Sequence, residues 1–156
     1  MQIEDLQQII SQGIKELGYT DVYLIDVRVK DQKIEVFLDS DEGITFLKCQ
    51  KLSRWLESIF DEKGTFGPSY ILEVSSAGVG SPLKLLRQYV KNIGRFIEVK
   101  SQHHEKTRGL LAEVNENIIV ITFEEKIKEG KKNIKVVRRV EVPFDEIIEA
   151  KIKLNL

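Results

Sequence analysis

Apolar and polar residues alternate along this chain with two different periods, and each period predicts a different kind of element. In the opening segment apolar residues recur every three or four positions, as in an amphipathic helix, at Ile3, Leu6, Ile9, Ile10, Ile14 and Leu17. Gly18 follows, where a helix commonly ends. Segments 21–30, "DVYLIDVRVK", and 33–39, "KIEVFLD", alternate residue by residue, with one break at Ile25. Because only two residues separate these segments, they predict an antiparallel hairpin.

A second helix and a third strand complete the first half of the chain. Helical spacing returns at Leu47, Leu52, Trp55, Leu56 and Ile59, with Thr45 placed to cap the helix. Segment 70–75, "YILEVS", has the apolar composition of a buried strand. The order αββαβ predicts two helices packed on one small sheet, a two-layer domain that could fold alone.

The second half consists mainly of short strand patterns. Segment 81–94, "SPLKLLRQYVKNIG", predicts a helix with Ser81 as its cap and Pro82 at its first position. Strand patterns follow at 95–100, 107–114, 117–123, 134–142 and 147–154. Such a succession is typical of a small barrel, which leaves no sheet edge exposed. The mixed-charge run 124–133, "EEKIKEGKKN", predicts a solvated hairpin loop in preference to a binding arm.

The predicted fold class is therefore α+β. An N-terminal αββαβ two-layer domain spans residues 1–81, and a C-terminal small SH3-like or Sm-like β-barrel spans residues 82–156. The charge changes sign at the same place: residues 1–81 hold 8 Lys/Arg and 14 Asp/Glu, a net of −6, and residues 82–156 hold 16 and 11, a net of +5. The basic second domain is the candidate surface for nucleic acid.

Composition excludes several classes of protein. Cys49 is the single cysteine, so neither an internal disulfide nor a cysteine metal cage can form. No apolar run approaches the roughly 18 residues of a membrane span, and the opening residues carry acids where a signal peptide carries lysines. We therefore expect a cytoplasmic protein with no membrane contact, and nothing in the sequence demands more than a monomer.

The glycine-containing loop in the middle of the chain raises the question of nucleotide binding. Gly78-Val79-Gly80 follows a strand and precedes a helix, but Leu83 stands where the dinucleotide fingerprint needs a third glycine. No Gly-Lys-Ser/Thr occurs either. The loop is therefore predicted to be an interdomain joint, formed by Ser75, Ser76, Ala77, Gly78, Gly80, Ser81 and Pro82.

The same loop carries a resemblance to a known family. Residues 72–83, "LEVSSAGVGSPL", resemble the signature of the RimP family of bacterial ribosome maturation factors, usually Leu-Glu-Val-Ser-Ser-Pro-Gly-Leu-Asp-Arg-Pro-Leu. Segments "ELGYTDVYLIDVRV", "CQKLSRWLESIFD" and "VEVPFDEIIEAKIKL" are similar to other parts of that family, so the resemblance covers essentially the whole chain. The chain departs from the signature at Ala77, Gly80 and Ser81, which replace proline, aspartate and arginine. These replacements put in doubt any role of that arginine in RNA contact or domain register.

The resemblance implies a non-enzymatic assembly factor with no cofactor and no small-molecule substrate. It implies that the chain binds the immature small (30S) ribosomal subunit through ribosomal RNA and a ribosomal protein near the decoding face. A different class of function stays open, in which an Sm-like module binds small or messenger RNA away from the ribosome. Binding through phosphates in either case predicts an affinity that falls steeply with salt.

The candidate contacts with RNA or the ribosome are cations of the basic half. They are Arg87, Lys91, Arg95, Lys100, Lys106, Arg108, Arg138 and Arg139. The first three are spaced four apart through the predicted helix and its exit, so they could share a face. Arginine can grip phosphate with two hydrogen bonds. No residue pattern predicts a catalytic or metal site, and the predicted barrel lacks obvious exposed aromatic residues for stacking bases.

Overall fold

The chain folds as two units. The computed structural model describes residues 1–77, 81–103 and 105–153. Contacts between residues divide the chain into Met1–Gly78 and Val79–Leu156. The predicted domain boundary between residues 81 and 82 stays a prediction. Within the described residues no helix is long and apolar enough to cross a membrane.

The first unit has the predicted order αββαβ. Its elements are α1 (Ile3–Glu16), β1 (Val22–Lys30), β2 (Lys33–Ser40), α2 (Phe46–Lys63) and β3 (Ile71–Ser76). The strands form one sheet in the order β1-β2-β3, in which β1 is antiparallel to β2 and β3 is parallel to β2. The prediction of helices and strands mixed in an α+β unit is confirmed.

Local signals set the ends of these elements. The Thr45 side chain caps α2 by accepting the backbone N–H of Lys48 at 3.2 Å. The helix ends at Gly64, whose φ of 63° lies in the left-handed region that glycine adopts without strain. In β1 the break in alternation at Ile25 is a β-bulge, because the pairing with β2 shifts between Leu24 and Asp26.

The core of the first unit lies between its two helices and its sheet. Its largest fully buried side chains are Leu6, Ile10, Ile34, Leu38, Leu52, Leu56 and Phe60. They come from α1, β2 and α2 at the helical and alternating spacings of the sequence. Trp55, one of the apolar positions of the predicted second helix, is half-buried against this cluster, and its indole Nε1 donates to Glu16 Oε2 at 3.2 Å.

The second unit is an antiparallel sheet with one short helix. Its elements are α3 (Leu86–Lys91), β4 (Phe96–Ser101), β5 (Thr107–Val114), β6 (Ile118–Glu129), β7 (Lys132–Pro143), a 3₁₀ turn (Phe144–Glu146) and β8 (Ile147–Ile152). The strand order is β7-β6-β5-β4-β8. Its core contains Ile97, Val99, Leu111, Ile119, Ile121, Val142 and Ala150, and Tyr89 of α3 packs on it with its ring edge-on to Phe144 at 5.1 Å.

The five strands form an open sheet. Strands β7 and β8 stand at its two ends, and within the described residues no backbone pairing joins them. The predicted antiparallel β-rich second domain is thus present, and its closure into an SH3-like or Sm-like barrel stays a prediction.

The helix of the second unit begins later than its sequence signals indicate. The prediction of a cap at Ser81 with Pro82 at the first helical position is wrong, because α3 begins only at Leu86. Pro82 instead forms an isolated bridge with Lys151, and the Leu83 N–H donates to the Ala150 carbonyl at 2.8 Å. This segment therefore lies along β8 before the helix starts.

The mixed-charge run at 124–133 is strand on both sides of a tight turn, and the prediction of a hairpin loop is wrong in extent. Strands β6 and β7 pair without a shift from Ile118↔Pro143 to Glu129↔Lys132. Only Gly130 and Lys131 remain for the turn, and Gly130 has a φ of 62°. Glycine at the first position of a two-residue turn is typical of the type II′ hairpin.

Candidate nucleic-acid interface

An open groove runs across the sheet of the second unit. It has a volume of about 1000 Å³. It is lined by Gly94, Arg95, Phe96, Arg108, Gly109, Leu110, Thr122, Phe123, Glu124, Val137, Ile152 and Lys153. Strands β4 to β8 all contribute, so the groove depends on the sheet as a whole.

The floor of the groove is apolar. Phe96 of β4 and Leu110 of β5 are register partners, so their side chains lie on the same face of the sheet. Leu110 is 44% exposed and Val137 is 67% exposed, whereas Phe123 is half-buried. Nucleic-acid bases stack on aromatic side chains, which Phe96 and Phe123 supply here at half-buried positions, while Leu110 and Val137 add exposed aliphatic surface.

Close packing of β5 on β6 shapes this floor. A side chain at Gly109 would place its Cβ 2.4 Å from the Thr122 carbonyl oxygen and 2.8 Å from a methyl carbon of Ile121. Both distances are shorter than a real Cβ contact, so the strands reach their observed spacing only with glycine at this position.

Cations stand around the apolar floor. Arg95, Arg108 and Lys153 line the groove together with one acid, Glu124. Arg95 and Lys153 are exposed, and within the described part of the chain no carboxylate lies within ion-pair distance of either. Two such cations beside an apolar strip suit a ligand that carries both phosphate charges and flat apolar surfaces, as single-stranded RNA does.

Glu98 holds two of the predicted cations in place. Its carboxylate is approached by Lys106 Nζ at 3.0 Å and by Arg108 Nε at 2.9 Å, and its side chain is only 15% exposed. The hydrogen bond from Lys106 is the main cause that holds the pKa of Glu98 below its ordinary value of 4.5. The charges of Lys106, Arg108 and Lys153 act in the same direction, and partial burial opposes them.

Arg138 and Arg139 point to opposite faces of β7. Arg138 Nε lies 2.7 Å from Glu125 Oε2, whereas Arg139 lies 2.7 Å from Glu113 and 3.6 Å from Glu141. Both arginine side chains remain about half exposed. Both are therefore accessible at the surface, but each is engaged with an acid of the same sheet.

The three cations predicted to share a helical face do not all lie on the helix. Arg87 and Lys91 belong to α3 and are half-buried, whereas Arg95 follows the helix and lines the groove. Lys100 is exposed on β4 opposite Glu149 of β8. The structure thus brings Arg95 and Arg108 to one groove and leaves the other predicted cations elsewhere on the unit.

The predicted joint is partly strand. Ser75 and Ser76 belong to β3, and the Ala77 N–H donates to the Leu38 carbonyl at 2.8 Å, which extends the pairing with β2 by one residue. Ser81 is half-buried, and Gly78 and Gly80 lie outside the described residues. The role of these residues as an interdomain joint stays a prediction.

Sequence reasoning missed part of the groove. Phe96 and Phe123 were counted with the strands, and Lys153 was not among the candidates, yet all three line it. The signal was present in their position: Phe96 lies near the start of the predicted strand 95–100 and Lys153 near the end of the predicted strand 147–154. Only the pairing of β4 with β8 shows that these two ends meet.

Neither a metal-binding cluster nor an activated cysteine is found among the described residues. Within the described residues no three His, Cys, Asp or Glu side chains come together as a metal site requires. Burial raises the pKa of Cys49, which disfavours the reactive thiolate.

Comparison with known proteins supplies an independent line of information. The family model described as the RimP N-terminal domain matches residues 9–80. A protein of Flavobacterium psychrophilum named "Ribosome maturation factor RimP" is 35% identical over 150 residues, which is 94% of this chain and 94% of that protein. Proteins of the same name from Christiangramia forsetii and Chlorobium limicola are 36% and 37% identical, over 86% and 83% of this chain and 87% and 82% of theirs.

Proposed function

This chain belongs to the RimP family of ribosome maturation factors, and on that premise we propose that it promotes maturation of the small ribosomal subunit by binding its immature form. The observation that carries the proposal is the similarity to proteins of that name over 94% of the chain. Ribosome maturation is the function in the relatives' name; the small subunit as target is our inference from the family resemblance.

Within this proposal the second unit makes the contact with ribosomal RNA. Its groove combines the apolar strip of Phe96, Leu110 and Val137 with the cations Arg95 and Lys153, which have no carboxylate of the described residues within ion-pair distance. Phosphates would bind the cations, and unpaired bases would lie on the strip. The acidic first half faces a basic ribosomal protein near the decoding face of the subunit.

The chain acts in this proposal by binding alone. It needs no cofactor and performs no covalent chemistry. It works as a monomer in the cytoplasm and leaves when the subunit has matured. Ser81 stands where the family signature has arginine, so in this proposal the contact with the subunit is made without that arginine.

A depletion experiment tests the proposed function. Cells that lack the chain are expected to accumulate immature small subunits with unprocessed ribosomal RNA, which sucrose gradients and RNA end mapping detect. Expression of the wild-type chain restores normal subunits. Normal subunit profiles in the depleted cells, during rapid growth and at low temperature, would contradict the proposal.

A pair of variants tests the groove. Arg95→Gln with Lys153→Gln removes two groove cations, and Lys51→Gln with Lys63→Gln removes two exposed lysines of α2 as a control with the same change in charge. We expect the groove pair to weaken binding to purified immature subunits about tenfold near 0.1 M salt, given roughly 0.7 counterions released per phosphate contact. Equal binding by both pairs would exclude the groove as the contact. If the wild-type chain instead cross-links in cells mainly to small or messenger RNA, the Sm-like alternative replaces the ribosomal one.

A further inference from the structure

A two-stranded arm extends from the sheet of the second unit. Strand β5 pairs with β6 only as far as Leu110↔Thr122, whereas β6 continues to Glu129. From Phe123 to Glu129 its partner is β7 alone, over residues 132–138. We call these two segments the arm; at about 3.4 Å per residue its length is about 24 Å.

The two faces of the arm differ in chemistry. Residues that pair across a ladder lie on the same face, and residues two apart on one strand share that face. One face carries the exposed side chains of Lys126, Lys128 and Lys135, together with Asn133 and, at the end next to the groove, Glu124 and Val137. The opposite face carries the half-buried apolar side chains Ile127, Ile134 and Val136, together with Phe123 and the charged residues Glu125, Glu129, Lys132 and Arg138. We call the first of these the lysine face.

The lysine face is electrostatically unfavourable for the protein by itself. Lys126 and Lys135 are register partners, so two like charges stand directly opposite each other, with Lys128 beside them on the same face. A pair of like charges in this position destabilises a sheet. Glu124 is the one acid on this face of the arm, but no carboxylate of the described residues, Glu124 included, lies within ion-pair distance of these three lysines. Glu125 is paired with Arg138 on the other face. A two-stranded ribbon is also only marginally stable by itself.

We propose that the lysine face docks on the sugar–phosphate backbone of ribosomal RNA in the immature small subunit. The proposal rests on the proposed function and adds a second contact to the groove. Charge complementarity carries it: three cations that repel one another on a narrow ribbon are stabilised by an array of phosphates. Lysines two residues apart on a strand stand about 7 Å apart, which is comparable with the separation of successive phosphates along an RNA strand.

The composition of this face favours RNA over a protein partner. Protein interfaces depend on a few buried aromatic or arginine anchors, and the lysine face has none. Lysine binds phosphate as a point charge without geometric demands. Contacts of this kind position a protein on RNA and carry no sequence information. We therefore expect the arm to contribute affinity and orientation, and the groove to contribute any preference for unpaired bases.

The first experiment compares two variants of the full chain for binding to purified immature small subunits between about 50 and about 300 mM salt, over which screening of charges increases strongly. The arm variant is Lys126→Gln, Lys128→Gln, Lys135→Gln. The control variant, Lys15→Gln, Lys51→Gln, Lys63→Gln, loses the same charge from exposed positions of α1 and α2. We expect the arm variant to bind about tenfold or more weakly near 0.1 M salt, with a plot of log affinity against log salt shallower by about 2. The control variant should match the wild type.

The outcomes separate the arm from the proposed function. If the wild type, arm variant and control bind alike, subunit binding stands and the arm proposal is overturned. If the wild type fails to bind even at the lowest salt, the proposed function falls and the arm proposal falls with it. If the arm variant loses affinity with no change in salt slope, phosphates are not what the lysines contact, and the proposal is also overturned.

A photo-cross-linker at position 133, replacing Asn133 beside Lys128, identifies the class of the partner directly. The expected adduct is sensitive to ribonuclease and maps to ribosomal RNA of the small subunit. An adduct that survives ribonuclease and contains a ribosomal protein would overturn the proposal in favour of a protein partner. Matching thermal unfolding of wild type and variants establishes that each change leaves the fold intact.

Discussion

The guanidinium of Arg108 and the carboxylate of Glu98 meet across the ladder of β4 and β5, with Nε 2.9 Å from Oε2. Lys106 occupies the other carboxylate oxygen at 3.0 Å. One acid thus fixes the positions of two cations beside the groove and reduces the net positive charge that they offer to a ligand. Its removal therefore changes both the charge of the surface and the stability of the fold, and the two effects are separable.

Glu98→Gln is expected to tighten binding to immature small subunits. The change releases Lys106 and Arg108 from an acid, so more positive charge faces the phosphates, and affinity rises several-fold at low salt. The gain shrinks as salt rises because screening weakens it. Glu62→Gln, at an exposed position of α2, is the control, because it changes the net charge by the same amount. Weaker binding by Glu98→Gln alone would show that Glu98 positions the cations more than it neutralises them.

The same substitution predicts a pH dependence of stability. Because the pKa of Glu98 is lower in the folded chain than its ordinary 4.5, ionised Glu98 stabilises the fold above about pH 4.5. That contribution is lost as pH falls through the lower folded pKa. The melting temperature of the wild type should exceed that of Glu98→Gln by a margin that is constant near neutral pH and narrows in acid. A margin that stayed constant down to about pH 3, well below the ordinary Glu98 pKa of 4.5, would contradict the assignment.

Gly109→Ala is expected to lower the free energy of unfolding by about 1–3 kcal/mol. The new Cβ would stand 2.4 Å from a backbone oxygen of Thr122, so β5 and β6 must separate. Chemical denaturation measures the loss. Leu110→Ala, on the exposed side of the same strand, removes groove surface and should cost less than Gly109→Ala, because Leu110 is 44% exposed. Equal losses would mean that the sheet accommodates the extra carbon.

Thr45→Ala is expected to cost about 1 kcal/mol of unfolding free energy. The substitution leaves the Lys48 N–H at the start of α2 without its side-chain acceptor. Thr20→Ala changes an exposed threonine of the turn after α1 and is expected to be nearly neutral. Denaturant titration followed by helical circular dichroism compares the two variants. A Thr45 variant as stable as the Thr20 variant would show that the Thr45 cap does not stabilise α2.

The first unit could be predicted from sequence because its signals are local. Helical spacing, the Thr45 cap and the short hairpin turn each depend on residues near one another, and the structure follows them. The segment at Ser81 and Pro82 carried equally good local signals for a helix start. There the backbone pairs with Lys151 and Ala150, about seventy positions away in the chain. No local pattern shows such a pairing, and it decides where α3 begins.

The candidate interface was predictable in its charge and not in its geometry. The excess of Lys and Arg in the second half is visible in the sequence, but which cation meets which acid depends on strand register. Glu98 forms ion pairs with Lys106 and Arg108, whereas Lys126 and Lys135 stand opposite each other in the ladder. The alternation Lys-Ile-Lys at 126–128 was a strand signal within a run whose overall composition indicated a loop. Register comes from pairing over long stretches, which composition does not contain.

The position of β7 at one end of the open sheet has a consequence for how the protein behaves in concentrated solution. Every second residue of this 12-residue strand turns its backbone N–H and C=O away from β6, a surface on which a strand of another molecule can add. At the other end, Pro82 and Leu83 lie along β8. Strand β7 carries Lys132, Lys135, Arg138 and Arg139, and charged side chains on an edge strand hinder the addition of a second copy. Lys135, which the arm proposal places against RNA, therefore also helps to keep the protein from aggregating with itself.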